Sequence, residues 1–140
     1  MTDDPYRLER FVQAQNPVYD EVCEELRRGE KRSHWMWFIF PQIQGLGSSW
    51  MAEEYAISGR EEAAAYLAHR ILGSRLEECT RLVIQLEDRP IRRIFPYPDD
   101  LKFRSSMTLF ARAAADNRLF VEALQKYFGG EQDPLTLARF

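Results

Sequence analysis

The chain has little of what stapled, secreted or membrane-spanning proteins depend on. Only two of its 140 residues are cysteine, Cys23 and Cys79. They lie far apart and in no CxxC pattern, so no disulfide framework is expected, and both read as buried, reduced thiols on helical stripes. With only two histidines besides, at no ligand spacing, neither structural zinc nor another metal site is expected. The Trp35–Phe40 apolar run is far too short to span a bilayer. The opening Met-Thr-Asp-Asp-Pro is acidic and lacks an apolar stretch, so no signal peptide and a cytoplasmic location are expected. Positive charge is not in excess. The net charge is −3, with basic residues scattered among acidic ones, which argues against a nucleic-acid partner while leaving room for a local basic pocket. Repeats, low-complexity tracts and linkers are missing as well.

What is present suits one soluble globule. Apolar content of 45% beside 29% charge is ordinary for such a domain. A chain of this size buries roughly two-thirds of its unfolded surface, enough for a core without staples. A single domain over 1–140 is therefore expected.

The pattern is helical almost throughout. Asp4-Pro5 is a cap-then-proline start, after which Leu8, Phe11, Val12 and Gln15 share a face. Asn16-Pro17 repeats the signal before Val18, Tyr19, Val22, Cys23 and Leu26, with Asp20, Glu21, Glu24, Glu25, Arg27 and Arg28 on the wet side and Gly29 as a stop. Ser48 or Ser49 caps a helix through Tyr55. Ser58 to Arg70 reads as an Ala-rich helix with a Ser58/Glu61 capping box. Ser74 starts a further helix along Leu76, Cys79, Leu82, Val83 and Leu86, and Ile91–Phe95 forms a short hydrophobic turn. Asp99 or Asp100 opens a helix through Phe103, Met107, Phe110 and Ala114, Leu119–Phe128 forms the next, and Asp133-Pro134 begins a last short one. The expectation is an all-α bundle of about seven or eight helices. Residues 35–40 form either a buried short helix or one short extended segment, because periodicity cannot decide over so few residues.

The segment from Lys31 to Trp50 concentrates the candidate chemistry. It holds all three tryptophans, His34 and the only GxG, with polar residues at both ends of its apolar run. Aromatic walls with a polar rim are what a small-molecule pocket is made of. His34 is the candidate acid, base or phosphate donor, and its bland alternative is a histidine bonded to a backbone carbonyl or a helix cap. Trp35 and Trp37 face one side on a strand and diverge on a helix; either could stack a planar ring, and at least one reads as core. Gly45-Leu46-Gly47-Ser48-Ser49 suits an anion or is simply a tight turn, and neither the dinucleotide fingerprint nor the Walker pattern is present. Lys102 and Arg104 could hold a phosphate. Ser105 lines a pocket or bonds back to its helix, whereas Thr108 reads as packing. Gln15 on an apolar stripe suits base or ribose recognition or an inter-helix hydrogen bond. His69-Arg70 ends the Ala-rich helix.

Asp4-Pro5-Tyr6, Arg10-Phe11-Val12, the run Lys31–Gln42, Gly45-Leu46-Gly47, Tyr55-Ala56-Ile57, Leu72-Gly73 and Asp99–Lys102 followed by Arg104–Phe110 together resemble a bacterial family known as domain-of-unknown-function family 1810. The resemblance covers essentially the whole chain and implies a small, mainly helical cytosolic domain with no established reaction. Arg70 stands where the family pattern leads one to expect proline, and Tyr97 near an expected glycine. A narrower likeness, over Met107–Phe110 and Asn117–Leu124, is to the NADAR group of YbiA-like N-glycosidases.

Together these readings predict a small-molecule site for a nucleotide-like or ADP-ribose-like ligand. His34 is its catalytic candidate; Gln15, Ser33, Trp35, Trp37, Gln42, Lys102, Arg104 and Ser105 are its binding candidates. No cofactor is called for, and N-glycosidic hydrolysis is the first reaction to consider, with Asp99, Asp100, Glu53 or Glu54 as possible carboxylates. The rival is a non-enzymatic helical interaction module whose aromatic segment is core or docks a partner protein.

Overall fold

Helices of four to sixteen residues and the turns and loops between them make up the computed structural model, which describes residues 3–140. α1 spans Glu9–Gln15 and α2 Tyr19–Arg28. The Asp4 start signal works one turn early, its carboxylate accepting from the N–H groups of Leu8 and Glu9 at 2.8 and 3.0 Å. α2 stops at Gly29, whose φ of +73° suits glycine.

The aromatic segment forms a single helical turn, α3 (Met36–Ile39), and not an extended segment. The two neighbouring tryptophans therefore diverge: Trp35 is 1% exposed, and Trp37 is half-buried on the other side. α4 (Trp50–Glu54) is capped by Ser49, which accepts from the Ala52 N–H.

The next stretch departs from expectation. α5 (Arg60–Ala68) ends at His69, and α6 (Arg70–Gln85) starts there rather than at Ser74. His69 Nδ1 accepts from the N–H groups of Ile71 and Leu72, so the residue read as a helix end is the cap of the following helix. The capping box is displaced too: Ser58 pairs with Glu62, not Glu61. Gly73 allows the reversal between α5 and α6. A Cβ there would sit 2.2 Å from the Leu67 carbonyl oxygen.

α7 (Ile91–Ile94), α8 (Asp99–Ala113), α9 (Arg118–Phe128) and α10 (Pro134–Arg139) complete the chain. The described residues thus form ten helices rather than seven or eight. The excess comes from single turns around aromatic and proline residues, which are too short to show a period. No β-strand occurs among them, only an isolated parallel bridge between Ile43 and Ile57. No helix among them is long and apolar enough to cross a membrane.

α8 is the central element, buried on nearly all sides from Ser105 to Ala111 and packed against α5, α7, α9 and α10. Around it, the rings of Trp35, Phe40, Phe95 and Phe103 meet edge to face or tilted at 5.0–6.4 Å. A second ring cluster joins Phe11, Tyr66, Phe110 and Phe120. The loop that leaves α3 is fixed by its backbone: Ile57 N–H donates to Gln42 O, and Gln44 N–H donates to Ile57 O, both at 2.9 Å. Arg10 clamps the other side of this loop through the carbonyls of Glu54 and Ala56 and the carboxylate of Glu62.

Candidate functional site

Four separated pieces of the chain meet around one cleft of about 580 Å³. Pro98, Leu101, Lys102 and Ser105 stand at i, i+3, i+4 and i+7, so one face of the start of α8 forms a wall. Trp37 and Gln42 come from α3 and the loop behind it. Leu46 to Ser49, with Ala52, supply the facing wall, and Asp133 and Leu135 close the cleft at the start of α10. Two of the large apolar side chains that remain exposed, Leu101 and Leu135, line it, and two more, Trp50 and Tyr97, directly adjoin lining residues in sequence.

Lys102 Nζ lies over the Trp37 ring, 4.8 Å from its centroid, and 3.7 Å from Asp99 Oδ1. The other oxygen of Asp99 is 2.8 Å from Lys31 Nζ, which in turn covers the Trp35 ring at 5.1 Å. Asp99 thus sits between two ammonium groups, each resting on an indole, and the cluster carries one net positive charge. The Gln42 side-chain amide is half-buried and makes no hydrogen bond among the described residues, so both its oxygen and its nitrogen are free to read a ligand.

Asp133 was not singled out in the sequence beyond its Asp-Pro start signal, yet it is the buried carboxylate of the cleft. Its Oδ2 lies 2.7 Å from the Ser105 hydroxyl and 2.6 Å from that of Thr136, and Oδ1 accepts from the Leu135 N–H. Burial opposes its charge, but the hydroxyls of Thr136 and Ser105 and the N–H groups of Leu135 and Thr136 outweigh that and hold the carboxyl below its ordinary range. Thr108 accepts from the Asp133 N–H, a packing role as expected. Arg104 borders the cleft but spends its guanidinium on the carbonyls of Glu131 and Gln132, at 3.0 and 2.8 Å, where it pins the turn into α10.

Trp37, Gln42, Lys102, Arg104 and Ser105 therefore converge, whereas the other candidates do not. His34 is exposed and lies outside the cleft, so it does not share a pocket with Lys102. Trp35 is core, its indole N–H donating to Glu25 Oε1 at 3.0 Å. Gln15 is 1% exposed; it donates to Phe38 O and Tyr66 Oη and accepts from Arg75, which is the inter-helix bond rather than ligand recognition.

Ser33 is likewise structural, and its partner is the largest surprise of the segment. Glu25, expected on the wet face, is 5% exposed. It accepts from the N–H groups of Arg32 and Ser33, the Ser33 hydroxyl and the Trp35 indole. Burial alone would raise its pKa, but these donors bring it down to about 2. A glutamate one turn before a glycine stop gives no sequence signal of this role. Its position beside Leu26 on the edge of the stripe was the only hint. No group of three or more His, Cys, Asp or Glu among the described residues is placed to hold a metal ion.

No curated protein matches the chain. Among solved structures it is similar to the conserved hypothetical protein Rv1873 from Mycobacterium tuberculosis, known from a crystal structure at 1.38 Å. Identity is 61%, 96% of each chain is covered, and the TM-score is 0.95. With residues 5–140 matched by the family model, the chain belongs to DUF1810, a family of proteins of unknown function.

Proposed function

We propose that the cleft between α3, α4, α8 and α10 binds a small nucleotide-like molecule. The observation that carries this reading is the convergence of Trp37, Gln42, Lys102 and Ser105, from two distant segments, on a cavity within the size range of ligand pockets. Leu46, Leu101 and Leu135 give apolar walls to a planar ring, and Trp37 offers a stacking surface. The unpaired Gln42 amide reads a polar edge, and Lys102 draws an anionic group to the net positive cluster it forms with Lys31 and Asp99. Binding is the better-supported activity. Hydrolysis of an N-glycosidic bond needs a free acid or base at the ligand; His34 lies away, and the oxygens of Asp133 are engaged as a helix cap.

The test is tryptophan emission with thermal shift against nucleoside phosphates, ADP-ribose, free nucleosides and inorganic phosphate. A binder should shift Tm and quench emission in the wild type. Lys102→Ala and Trp37→Ala should each weaken it tenfold or more, and His34→Ala should leave it unchanged. Loss of binding in His34→Ala with retention in Lys102→Ala would overturn this site. Silence across the panel would favour the second reading, a protein-docking surface, which rests on the exposure of Trp50, Tyr97 and Leu135.

A further inference from the structure

Away from the cleft, the two buried cysteines, 56 positions apart in sequence, join one side-chain cluster where α2 packs on α6. Cys23 Sγ lies 3.8 Å from Glu78 Oε1. Cys79 Sγ lies 3.9 Å from the Tyr19 hydroxyl, which donates to that same Glu78 oxygen. Both sulfurs thus flank one Tyr19–Glu78 pair. They are not equivalent. Cys79 is fully buried, whereas Cys23 keeps 5% of its surface, so a small oxidant reaches Cys23 first.

The surroundings favour charge on the same sulfur. The Cys79 thiol, then the Tyr19 hydroxyl and the Arg27 charge, bring the Cys23 thiol down against burial and the Glu78 carboxylate. Its cysteine partner and then burial push Cys79 up. Arg75, over the Tyr19 ring at 4.6 Å, is the other charge facing the cluster. One thiol is poised to react and the other to follow, an arrangement that core packing does not require.

We propose that Cys23 and Cys79 form a peroxide-oxidisable dithiol that closes into an intramolecular disulfide joining α2 to α6. In the first step the Cys23 thiolate attacks a peroxide oxygen and the O–O bond breaks. Cys23 becomes a sulfenic acid, and the departing alkoxide or hydroxide takes a proton to leave as alcohol or water. In the second step the Cys79 sulfur attacks the sulfenic sulfur, the S–O bond breaks, and water leaves with the Cys79 proton. Two thiols are oxidised by two electrons and one peroxide is reduced. Reduction by an external dithiol restores the starting state.

The test uses the folded full chain treated with hydrogen peroxide, then denatured, alkylated and weighed. The expected product takes up no alkylating agent, is lighter than the reduced chain by two hydrogens, and runs as a monomer without reductant. Dimedone present during oxidation should label Cys23 in Cys79→Ser and leave Cys23→Ser unlabelled. Two alkylatable thiols after peroxide, thiol loss only through intermolecular dimers, or first labelling at Cys79 would each overturn the proposal. The wild-type mass decides the matter even if a serine variant fails to fold.

Discussion

Replacing Glu25 with glutamine tests whether one buried carboxylate organises the aromatic segment. Four donors converge on it from Arg32, Ser33 and Trp35. A carboxyl held at about 2 in the native state, against an ordinary 4.5, stabilises the fold at neutral pH by roughly 3 kcal/mol. Because the native pKa is depressed, this contribution is fully present above about pH 4.5 and is lost as pH falls toward 2. Urea denaturation of wild type and Glu25→Gln at pH 7 and pH 3 reads it directly. The variant should be less stable by about 2–3 kcal/mol at pH 7, because glutamine keeps the size but turns an acceptor oxygen into a donor among donors. By pH 3 the gap should narrow by roughly 2 kcal/mol, since the wild-type carboxylate has lost most of its advantage. Taking the difference between the two proteins cancels the other depressed acids, Asp4, Asp116 and Asp133. A gap under about 0.5 kcal/mol at pH 7, or one that does not change with pH, would refute the role given to Glu25.

Two further substitutions separate structure from propensity. Gly73→Ala should cost roughly 3 kcal/mol in urea denaturation, although helix propensity alone favours alanine, because the added methyl meets the Leu67 carbonyl rather than a side chain that can move; an unchanged midpoint would refute the close approach. Arg70→Pro should add about 0.5–1 kcal/mol. Arg70 is the first residue of α6, where proline is at home, and His69 before it already has the extended backbone proline requires. A lower Tm would show that the turn differs from the one described.

The departures from the family pattern are thus explained locally. At position 70 the missing proline leaves the His69 cap intact. At position 97 the tyrosine does not occupy the left-handed backbone region, so no glycine is demanded there, and its side chain projects to solvent beside the cleft. The long stripes of α2, α6, α8 and α9 could be read from the sequence because each buries one face, or nearly all faces, over several turns. The Ser74 start failed because His69, an unusual cap, outweighed a common one. Trp37, Lys102 and Ser105 could be singled out by residue type, but the 98/101/102/105 face of α8 and the side to which Trp37 points follow only from the fold. Asp133 could not, since its partners Ser105 and Thr108 lie about 25 residues away and only the fold brings them together.

The division of labour between Trp35 and Trp37 is the point on which the site turns. The α3 turn sends the first indole to Glu25 and the ring core, and the second to the cleft. Asp99 holds a lysine over each, so the buried and the half-buried indole are coupled through one carboxylate at the start of α8. The buried Trp35–Lys31 pair thus holds the carboxylate beside which Lys102 stands. A ligand that drew Lys102 toward its own anion would compete only with a 3.7 Å contact to Asp99, since the shorter 2.8 Å pair with Lys31 keeps that carboxylate in place. The segment thus combines an anchored aromatic base with one cation able to change partners, the pairing on which the proposed binding of an anionic ligand rests.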